Sequence, residues 1–453
     1  MSIDSKIFKA YDIRGIYPAQ LNEEAVYDII QAYVSFVKPE TVVLGKDVRK
    51  SGPALAKAAL DALVDAGVNV IDLGTVNVDM LYVAVRNLNA DGGVYLSASH
   101  NAKEWNGINL CMRGSRPISS ETGLRDIQRR AEQKIRMPSI KKGKVSTHDI
   151  MDEYVKFVLS FVDIKKIRPM KIAVNGNFGI SVQVFSRIVK EGNLPIKIIP
   201  LNAEPDGSFP KGDPNPLLLE NRAELTKLIK KTKADLGIAW DADGDRCFFV
   251  DEKGRFVEGY FITALIAKEL LKKHPGEKII IDPRLIWATQ DVIRAAGGTP
   301  IISRAGMTII AGRMEKEKAL FAGEMSSHFY FRENAYRDNG MIPVFVMLEE
   351  MGVEKKKLSQ LAAPLMKKYL ISGELNFHVS DAPVLFELIE KKYEKGTLEY
   401  IDGVSVAFPK WRFNVRSSNT EPLVRLNVEA LSDDLLKSKT KELVKIIKGF
   451  GAK

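Results

Sequence analysis

The chain has 453 residues, a net charge of +10 and 45% apolar residues, a composition typical of a globular protein with several hydrophobic cores. No apolar run approaches the roughly 20 residues that span a bilayer. The first residues form no signal-peptide core, and neither Cys111 nor Cys247 lies in a disulfide or metal pattern. We therefore expect a cytoplasmic protein with no membrane partner.

The basic residues are interleaved with acidic ones rather than collected in one patch. The densest basic stretch, residues 436–453, has apolar residues at helical spacing and is typical of the solvated face of a helix. This distribution argues against nucleic-acid binding and favours small anionic substrates as partners.

A strand, a polar turn, a helix, a glycine and a second strand follow one another three times along the chain. The repeats occupy residues 41–74, 170–201 and 277–303, with Gly67, Gly192 and Gly297 near the helix ends. The strands are nearly continuous apolar runs, as in sheets buried on both faces. The pattern predicts three similar consecutive α/β domains with mixed or parallel sheets.

The C-terminal part of the chain has a different pattern. Residues 404–430 alternate polar and apolar positions as strands do, and helical periods flank them at 383–394 and 432–449. We predict an α+β fourth domain. The composition places the four domains at residues 1–147, 148–254, 255–367 and 368–453.

Residues 97–101, SASHN, follow the apolar run of a predicted strand. Ser99 and His100 are neighbours in this loop, with Ser97 and Asn101 close by. Adjacent serine and histidine residues are weak evidence of chemistry by themselves, because a polar surface loop has the same composition.

Residues 236–250, LGIAWDADGDRCFFV, place Asp241, Asp243 and Asp245 in one short loop between two apolar strands. Like charges this close repel, and a divalent cation with a preference for oxygen ligands, such as Mg²⁺, removes the repulsion. An EF-hand is disfavoured because Arg246 stands where its loop needs glycine. A phosphatase with Asp241 as nucleophile remains an alternative on this motif.

The two loops together suggest a phosphorylated serine docked on a metal. A phosphoryl group adds charge that something must hold, and Mg²⁺ on the aspartates has coordination positions free for a phosphate oxygen. Arg246, which follows the aspartates, is either an ion-pair partner or a second neutralising group for phosphate.

Two further polar motifs lie in the second half of the chain. GEMSSH, residues 323–328, places Glu324 and Ser326 on one side if the segment is extended, where they suit two neighbouring sugar hydroxyls. RSSNTEP, residues 416–422, has the composition of a phosphate-binding loop, although a simple turn before proline has it too.

With FKAYDIRG at residues 8–15, these motifs make the chain resemble the α-D-phosphohexomutase family, in its phosphomannomutase/phosphoglucomutase branch. Five motifs occur in the family order along essentially the whole chain. The resemblance implies four domains around a central cleft. The residues that it assigns to the site are Tyr11, Arg14, Ser99, His100, Asp241, Asp243, Asp245, Arg246, Glu324, Ser326, His328, Arg416, Ser418, Asn419 and Thr420.

The resemblance also implies the reaction. Phospho-Ser99, on Mg²⁺ held by the aspartates, gives its phosphoryl group to a hexose phosphate; the bisphosphate turns in the cleft, and its other phosphate returns to Ser99. The loop from Arg416 to Thr420 holds the opposite phosphate, and glucose 1,6-bisphosphate or an equivalent serves as activator. We expect mannose and glucose phosphates as substrates and a monomer or weak homodimer.

Alternatives to this interpretation are a phosphoglucosamine mutase, which Met325 weakly disfavours, a Mg²⁺-dependent sugar phosphatase, and a non-catalytic protein that binds RNA or sugar phosphates. The chain also departs from the family pattern. The changed positions are Ala102 (commonly Pro), Asn109 (often Lys), Ser327 (usually Gly), Asn339 (Asp in many members) and Met307 (often His). Because the family's lysine is a proton-transfer candidate, Asn109 leaves Lys103, His100, His328 and Arg14 as candidates for general acid and base.

Overall fold

The computed structural model describes residues 3–379, 381–417 and 423–450. Contacts among its residues divide the chain into two compact units. The first unit comprises residues 1–256 together with 328–358, and the second comprises residues 257–327 together with 359–453.

The N-terminal part of the first unit is built on a mixed sheet. Its strands are β1 (Ile13–Ile16), β2 (Thr41–Lys46), β3 (Asn69–Thr75), β4 (Gly92–Leu96), β5 (Trp105–Met112), β6 (Arg116–Pro117) and β7 (Val145–Thr147). Its helices are α1 (Glu23–Val37), α2 (Gly52–Asp65), α3 (Val78–Asn87) and α4 (Leu124–Glu132). The strand order is β1-β5-β4-β2-β3-β7, with β6 beside β5.

The first predicted βαβ unit is confirmed, since β2 and β3 pair in parallel and α2 connects them. Helix α1 begins where the Asn22 side chain accepts a hydrogen bond from the Ala25 N–H, which satisfies one of the free donors of its first turn. Its buried face packs with those of α2 and α4 in one hydrophobic core beside β2 and β4. This core packs against the sheet in which β4 and β5 are the interior strands that the Ser99 loop connects.

The second sheet of the first unit contains β8 (Met170–Asn175), β9 (Ile196–Leu201), β10 (Leu236–Trp240), β11 (Cys247–Asp251) and β12 (Phe256–Val257). The accompanying helices are α5 (Met151–Leu159), α6 (Ser181–Glu191) and α7 (Leu219–Thr232). Strands β8 and β9 are parallel, as the second repeat predicts, and β10 and β11 form an antiparallel pair. The aspartate loop connects β10 to β11.

The third repeat begins the second unit. The elements in chain order are α8 (Gly259–Lys273), β13 (Lys278–Ile281), α9 (Trp287–Ala295), β14 (Thr299–Ile302), α10 (Met307–Glu317), β15 (Phe321–Gly323), β16 (Phe329–Phe331), β17 (Arg337–Asp338), α11 (Ile342–Glu354) and α12 (Leu358–Lys368). Strand β13 pairs in parallel with β14 and β15, which confirms the predicted βαβ unit. Strands β16 and β17 and helix α11 belong to the first unit, and the two strands are antiparallel.

The C-terminal segment of the second unit is an antiparallel sheet with helices, as the sequence predicts. Its elements are β18 (Leu370–His378), α13 (Ala382–Lys392), β19 (Thr397–Glu399), β20 (Val404–Phe408), β21 (Trp411–Ser417), β22 (Leu423–Ala430) and α14 (Asp433–Gly449). The strand order is β18-β22-β21-β20-β19. Among the described residues, no helix combines the length and the apolar character needed to span a membrane.

Candidate active site

Ser99 lies in the loop between β4 and β5, in a left-handed backbone conformation with φ of 49°. Its N–H donates to the Ser97 Oγ at 2.8 Å, and the residue is only 5% exposed. A positive φ is uncommon for a residue with a side chain. The conformation is therefore held by the contacts of the loop.

The aspartate loop makes a tight turn between β10 and β11. Gly244, in its middle, has a φ of 75°, and a Cβ there would lie 2.3 Å from the Asn77 Nδ2. Asp241, Asp243 and Asp245 are all buried, with one oxygen of each carboxylate within 4.8 Å of the others. The loop thus brings three carboxylates together in one small volume.

The structure brings the serine loop to the aspartate loop. The Ser99 Oγ donates to the Asp241 Oδ2 at 2.9 Å, and the Ser97 Oγ lies 3.2 Å from the Asp243 Oδ2. These residues are more than 140 positions apart in the chain. A hydroxyl at the N-terminal sheet and the aspartates of the second sheet therefore form one site.

The three carboxylates differ in their electrostatic environment. Burial acts to raise the pKa of Asp241, but the charge and hydrogen bond of Arg246, together with His328 and the Ser99 hydroxyl, hold that pKa below its usual value. Burial, followed by the charges of Asp241 and Asp47, raises the pKa of Asp243 to about 8. Burial and the charges of Asp243 and Asp241 raise the pKa of Asp245 well above its usual value. In two of the three carboxylates, burial and the neighbouring negative charges thus outweigh the nearby arginines.

The donor set fits a hard divalent cation. Within the described ranges, neither the Asp243 Oδ1 nor the Asp245 Oδ1, both buried, has a hydrogen-bond partner. Buried polar atoms normally have one. Carboxylate oxygens are the preferred ligands of hard cations, so these residues could hold a metal ion.

Two arginines flank the carboxylates. The Arg246 Nε donates to the Asp241 Oδ2 at 2.9 Å and lies 3.9 Å from the Asp245 Oδ1. The Arg14 Nη1 donates to the Ala98 carbonyl at 3.1 Å, and its Nε contacts Asp12 at 2.7 Å. Tyr11, half-buried, precedes β1 in the same segment as Arg14.

Two histidines lie beside the serine and aspartate loops. The His100 Nδ1 is 3.2 Å from the Ser99 Oγ, and burial, with the charges of Arg246 and Arg14, lowers the pKa of His100 well below its usual value. The His328 Nδ1 lies 3.0 Å from the Asp338 Oδ2 and 4.0 Å from the Asp245 Oδ2. The Lys103 side chain, by contrast, is 61% exposed beside Glu104.

Sequence reasoning missed Asp47 and Arg49, which follow β2 and contact the serine loop. The Ser97 Oγ donates to the Asp47 Oδ2 at 2.7 Å, and the Arg49 Nη2 donates to the Ser99 carbonyl at 2.7 Å. The available signal was the polar run GKDVRKSG directly after a buried strand. The polar run alone does not indicate which residues Asp47 and Arg49 contact.

The second unit contains its own charged cluster. The Arg284 Nη2 is 2.8 Å from Asp282 and 3.9 Å from the Glu324 Oε1. Arg416 is 4% exposed, and among the described residues it lies 4.0 Å from Glu374 and 3.8 Å from Asp402. Glu374 is shared with Arg284 and Arg425 at 3.4 and 3.2 Å, so this cluster has positive charge suited to an anionic ligand.

The expectation of an extended segment at Glu324 and Ser326 is wrong. The Ser327 N–H donates to the Glu324 carbonyl at 3.0 Å, and Ser327 has a φ of 67°. The segment is therefore a turn, in which alternate residues do not share a side. Ser418, Asn419 and Thr420 lie outside the described residues.

The chemistry open to this arrangement is the transfer of a phosphoryl group to and from a serine, so the fold and the site define a phosphotransferase. Four family models of phosphoglucomutase/phosphomannomutase match consecutive parts of the chain: alpha/beta/alpha domain I at residues 5–136, domain II at 152–254, domain III at 258–369 and the C-terminal domain at 374–446.

Known proteins are similar over nearly the whole chain. A phosphomannomutase of Escherichia coli (strain K12) is 43% identical over 448 residues, covering 97% of this chain and 98% of its own. One from Vibrio cholerae is 44% identical with the same coverages. A phosphoglucomutase/phosphomannomutase family protein from Burkholderia thailandensis has a TM-score of 0.88 at 28% identity, covering 98% of both chains. The chain belongs to the phosphoglucomutase/phosphomannomutase family and is a phosphohexomutase, an isomerase that acts by intramolecular phosphotransfer.

Proposed function

We propose that the protein interconverts the 1- and 6-phosphates of mannose and glucose, with Ser99 as the phosphoryl carrier. The observation that carries this proposal is the 2.9 Å contact between the Ser99 Oγ and the Asp241 Oδ2. It places a hydroxyl against the carboxylate of the triplet that Arg246 contacts most closely. The sugar is proposed from the relatives that are named phosphomannomutase.

The transfer balances as an exchange of esters. The bond between phosphorus and the Ser99 oxygen breaks, a bond between phosphorus and the free sugar hydroxyl forms, and the hydroxyl proton passes to the serine oxygen. The reverse exchange with the other phosphate of the bisphosphate completes the isomerisation. Glucose 1,6-bisphosphate or an equivalent would load an unphosphorylated Ser99.

The proposed metal ligands are Asp241, Asp243, Asp245 and an oxygen of Ser99 or its phosphate. Mg²⁺ bound there supplies electrostatic stabilisation of charge on the phosphate oxygens. Arg246 orients Asp241 and adds a second positive charge at the same place. Arg14 contacts the Ala98 carbonyl and orders the serine loop from the side of β1.

His100 is the group that we assign to proton exchange with Ser99. Its Nδ1 lies 3.2 Å from the Ser99 Oγ, within reach for proton transfer. The lowered pKa keeps the ring neutral near pH 7, so one ring nitrogen can accept a proton and the other can donate.

We assign the opposite phosphate of the substrate to Arg416 with Ser418, Asn419 and Thr420. The support is the buried Arg416 guanidinium, whose partner Glu374 is shared with Arg284 and Arg425, which leaves the cluster with positive charge among the described residues. Glu324 accepts the Gly306 N–H through its Oε1 at 3.1 Å. With Ser326, His328 and Tyr11 it is proposed to contact the sugar.

The test incubates the protein with glucose 1-phosphate, Mg²⁺ and a trace of bisphosphate. A mutase yields the 6-phosphate, whereas a phosphatase with Asp241 as nucleophile yields free phosphate. We expect mass spectrometry to find phosphate on Ser99. Ser99→Ala should abolish turnover, and Ser35→Ala, a buried serine of α1, should retain it. Activity in Ser99→Ala, or release of free phosphate alone, would contradict the proposal.

A side-by-side assay of mannose, glucose and glucosamine 1-phosphates ranks the sugars. We expect the first two to be turned over faster than the third. The reverse order would make the protein a phosphoglucosamine mutase. Binding of any of these without turnover would indicate a non-catalytic protein.

A further inference from the structure

Arg49 is a buried arginine whose donors are directed at backbone rather than at a ligand. It is 1% exposed, and its Nη1 donates to the carbonyls of Ala102 and Trp105 at 2.7 and 2.9 Å. Its Nη2 donates to the carbonyls of Ser99 and Asn101, both at 2.7 Å. One planar guanidinium thus binds four carbonyls of the loop that carries Ser99.

Asp47 connects this guanidinium to the other side of the same loop. The Asp47 Oδ2 accepts from the Arg49 Nε at 3.1 Å and from the Ser97 hydroxyl at 2.7 Å. The Ser97 oxygen in turn accepts the N–H of Ser99 at 2.8 Å. Both the N–H and the carbonyl of Ser99 are therefore linked to the Asp47–Arg49 pair.

A segment that follows β9 covers Arg49 from the outside. Phe209 lies with its ring centre 5.0 Å from the Arg49 guanidinium carbon, and Gly207 forms a parallel bridge with Arg49. A Cβ on Gly207 would lie 2.0 Å from the Val48 carbonyl oxygen. The guanidinium is thus enclosed between the serine loop and this segment, with no room to relax outward.

The energetics favour a positioning role. The left-handed conformation of Ser99 is disfavoured for a residue with a side chain, so something in the fold must hold it. Hydrogen bonds from a charged donor are about twice as strong as neutral ones, and four of them act on one loop.

We propose that Arg49, supported by Asp47, is a positioning residue that fixes the Ser99 loop so that its hydroxyl faces Asp241. This inference rests on the proposed role of Ser99 as phosphoryl carrier. Arg49 sets the rate of phosphoryl transfer without contributing to the binding of the sugar phosphate.

The test is Arg49→Lys, which retains the charge but lacks the planar fork and the number of donors needed to bind four carbonyls. The rate of transfer is measured in a single turnover from labelled phospho-Ser99 to a hexose phosphate. We expect the rate and kcat to fall about 100-fold, because small misplacement of a reacting group has effects of that size. Glucose 6-phosphate affinity, measured by calorimetry in a Ser99→Ala background, should not change.

Arg86→Lys is the matched control, since Arg86 is in the same unit but donates to Asn334 instead of the serine loop. The rate of phosphoryl transfer in Arg86→Lys should equal that of the parent, even if its melting temperature falls as much as that of Arg49→Lys. An unchanged rate in Arg49→Lys, equal losses in both variants, or weakened binding of glucose 6-phosphate would overturn the proposal.

Asp47→Asn provides a second variant if Arg49→Lys does not fold. It keeps the shape of the side chain but removes its charge. It also has one acceptor oxygen, whereas the carboxylate uses Oδ2 for the Arg49 Nε and Ser97 and Oδ1 for the Arg49 N–H. Asp47→Asn should slow phosphoryl transfer and leave the affinity for glucose 6-phosphate unchanged. An unaltered transfer rate would contradict the inference. An unphosphorylated Ser99 in the parent, with full activity in Ser99→Ala, would instead remove the proposed function, and the inference with it.

Discussion

The chemistry of the site begins with three buried carboxylates that share one neutralising arginine. Arg246 contacts Asp241 closely, whereas Asp243 and Asp245 each keep a buried oxygen without a hydrogen-bond partner among the residues described. Buried like charges disfavour ionisation, which is why the pKa of Asp243 rises to about 8. In the folded protein without a cation, this arrangement opposes stability.

Asp243→Asn should therefore separate stability from metal binding. Without metal, the variant is expected to melt above the parent near pH 8, because a neutral amide removes the repulsion. Added Mg²⁺ should raise the melting temperature of the parent, since binding to the folded state stabilises it, and should do so little in the variant. Thermal melts with and without Mg²⁺ measure both effects.

Asp28→Asn is the control for this prediction. Asp28 is also buried in the first unit, but it forms an ion pair with Arg136 at 2.7 Å, far from the aspartate loop in sequence. It should lower the melting temperature and leave the Mg²⁺ increment unchanged. An equal Mg²⁺ increment in Asp243→Asn and the parent would contradict the assignment of Asp243 as a ligand.

Site residues could be predicted from the sequence where they lie within one short motif. The sequence indicates a carboxylate cluster because three aspartates alternate within five residues, at Asp241, Asp243 and Asp245. Arg49 could not, because its acceptors are backbone carbonyls, which every residue has and which no sequence pattern marks. A buried guanidinium that binds backbone can be recognised only in the folded chain.

At the scale of elements, periodicity predicted the strands and helices well and the loops poorly. The βαβ units were visible because buried strands and amphipathic helices leave regular apolar patterns. The segment from Glu324 to Ser327 has no such pattern, and its shape depends on one local hydrogen bond and a positive φ. An alternating rule applied there gave the wrong geometry.

The turn of the aspartate loop gives an element-scale prediction at Gly244. Alanine there adds left-handed strain of about 1–2 kcal/mol and places a Cβ 2.3 Å from the Asn77 Nδ2. The loop must shift to accommodate it, so we expect a large loss of kcat and of stabilisation by Mg²⁺. Steady-state kinetics and melts with Mg²⁺ test this.

Gly74→Ala is the matched control because Gly74 has a similar φ of 70° but no atom within 4 Å of the added Cβ. It should lose stability through backbone strain and keep its activity. If both variants lose activity to the same degree, strain rather than displacement of the aspartates explains the loss.

At the scale of the whole molecule, the first unit joins three parts of the chain at one buried carboxylate. Asp79 on α3 accepts from the Tyr154 hydroxyl on α5 at 2.6 Å and from the Gly340 N–H at 3.3 Å. Burial is the main reason that its pKa rises to about 7, with the charge of Asp338 adding to it. The junction is therefore sensitive to pH.

The direction in which stability changes with pH follows from the pKa values of Asp79 in the folded and unfolded chain. An unfolded aspartate titrates near 3.9, so between about pH 4 and 7 the folded protein keeps a proton that the unfolded chain releases, and stability falls as pH rises. Burial keeps the nearby phenols of Tyr154 and Tyr95 and the thiol of Cys247 protonated in this range. Asp79→Asn should thus gain roughly 2 kcal/mol relative to the parent between about pH 5.5 and 8.5.

Melting temperatures of the two proteins at both pH values measure this difference. Asp65→Asn is the control, because hydrogen bonds from Lys142 and Tyr27 lower the pKa of Asp65, so its charge does not change in this range. If the difference in melting temperature between Asp79→Asn and the parent is the same at both pH values, Asp79 stays ionised in the folded protein throughout this range.

The grouping of residues into two units was not visible in the sequence. Residues 328–358 follow 257–327 without a linker or a change in composition, yet they group with residues 1–256. Composition reports local surroundings, whereas this grouping depends on pairs such as Trp240 and Gly340, a hundred positions apart. The domain boundaries near 147, 254 and 367 stay a prediction.

The inclusion of residues 328–358 in the first unit has a practical consequence for the design of truncated proteins. A product that stops at residue 256 would lack Gly340, whose carbonyl accepts the indole N–H of Trp240 and whose N–H reaches Asp79. It would also lack His328, the bridge partner of Arg246. A soluble half-enzyme for crystallisation or for split-reporter work would therefore need the distant piece grafted on.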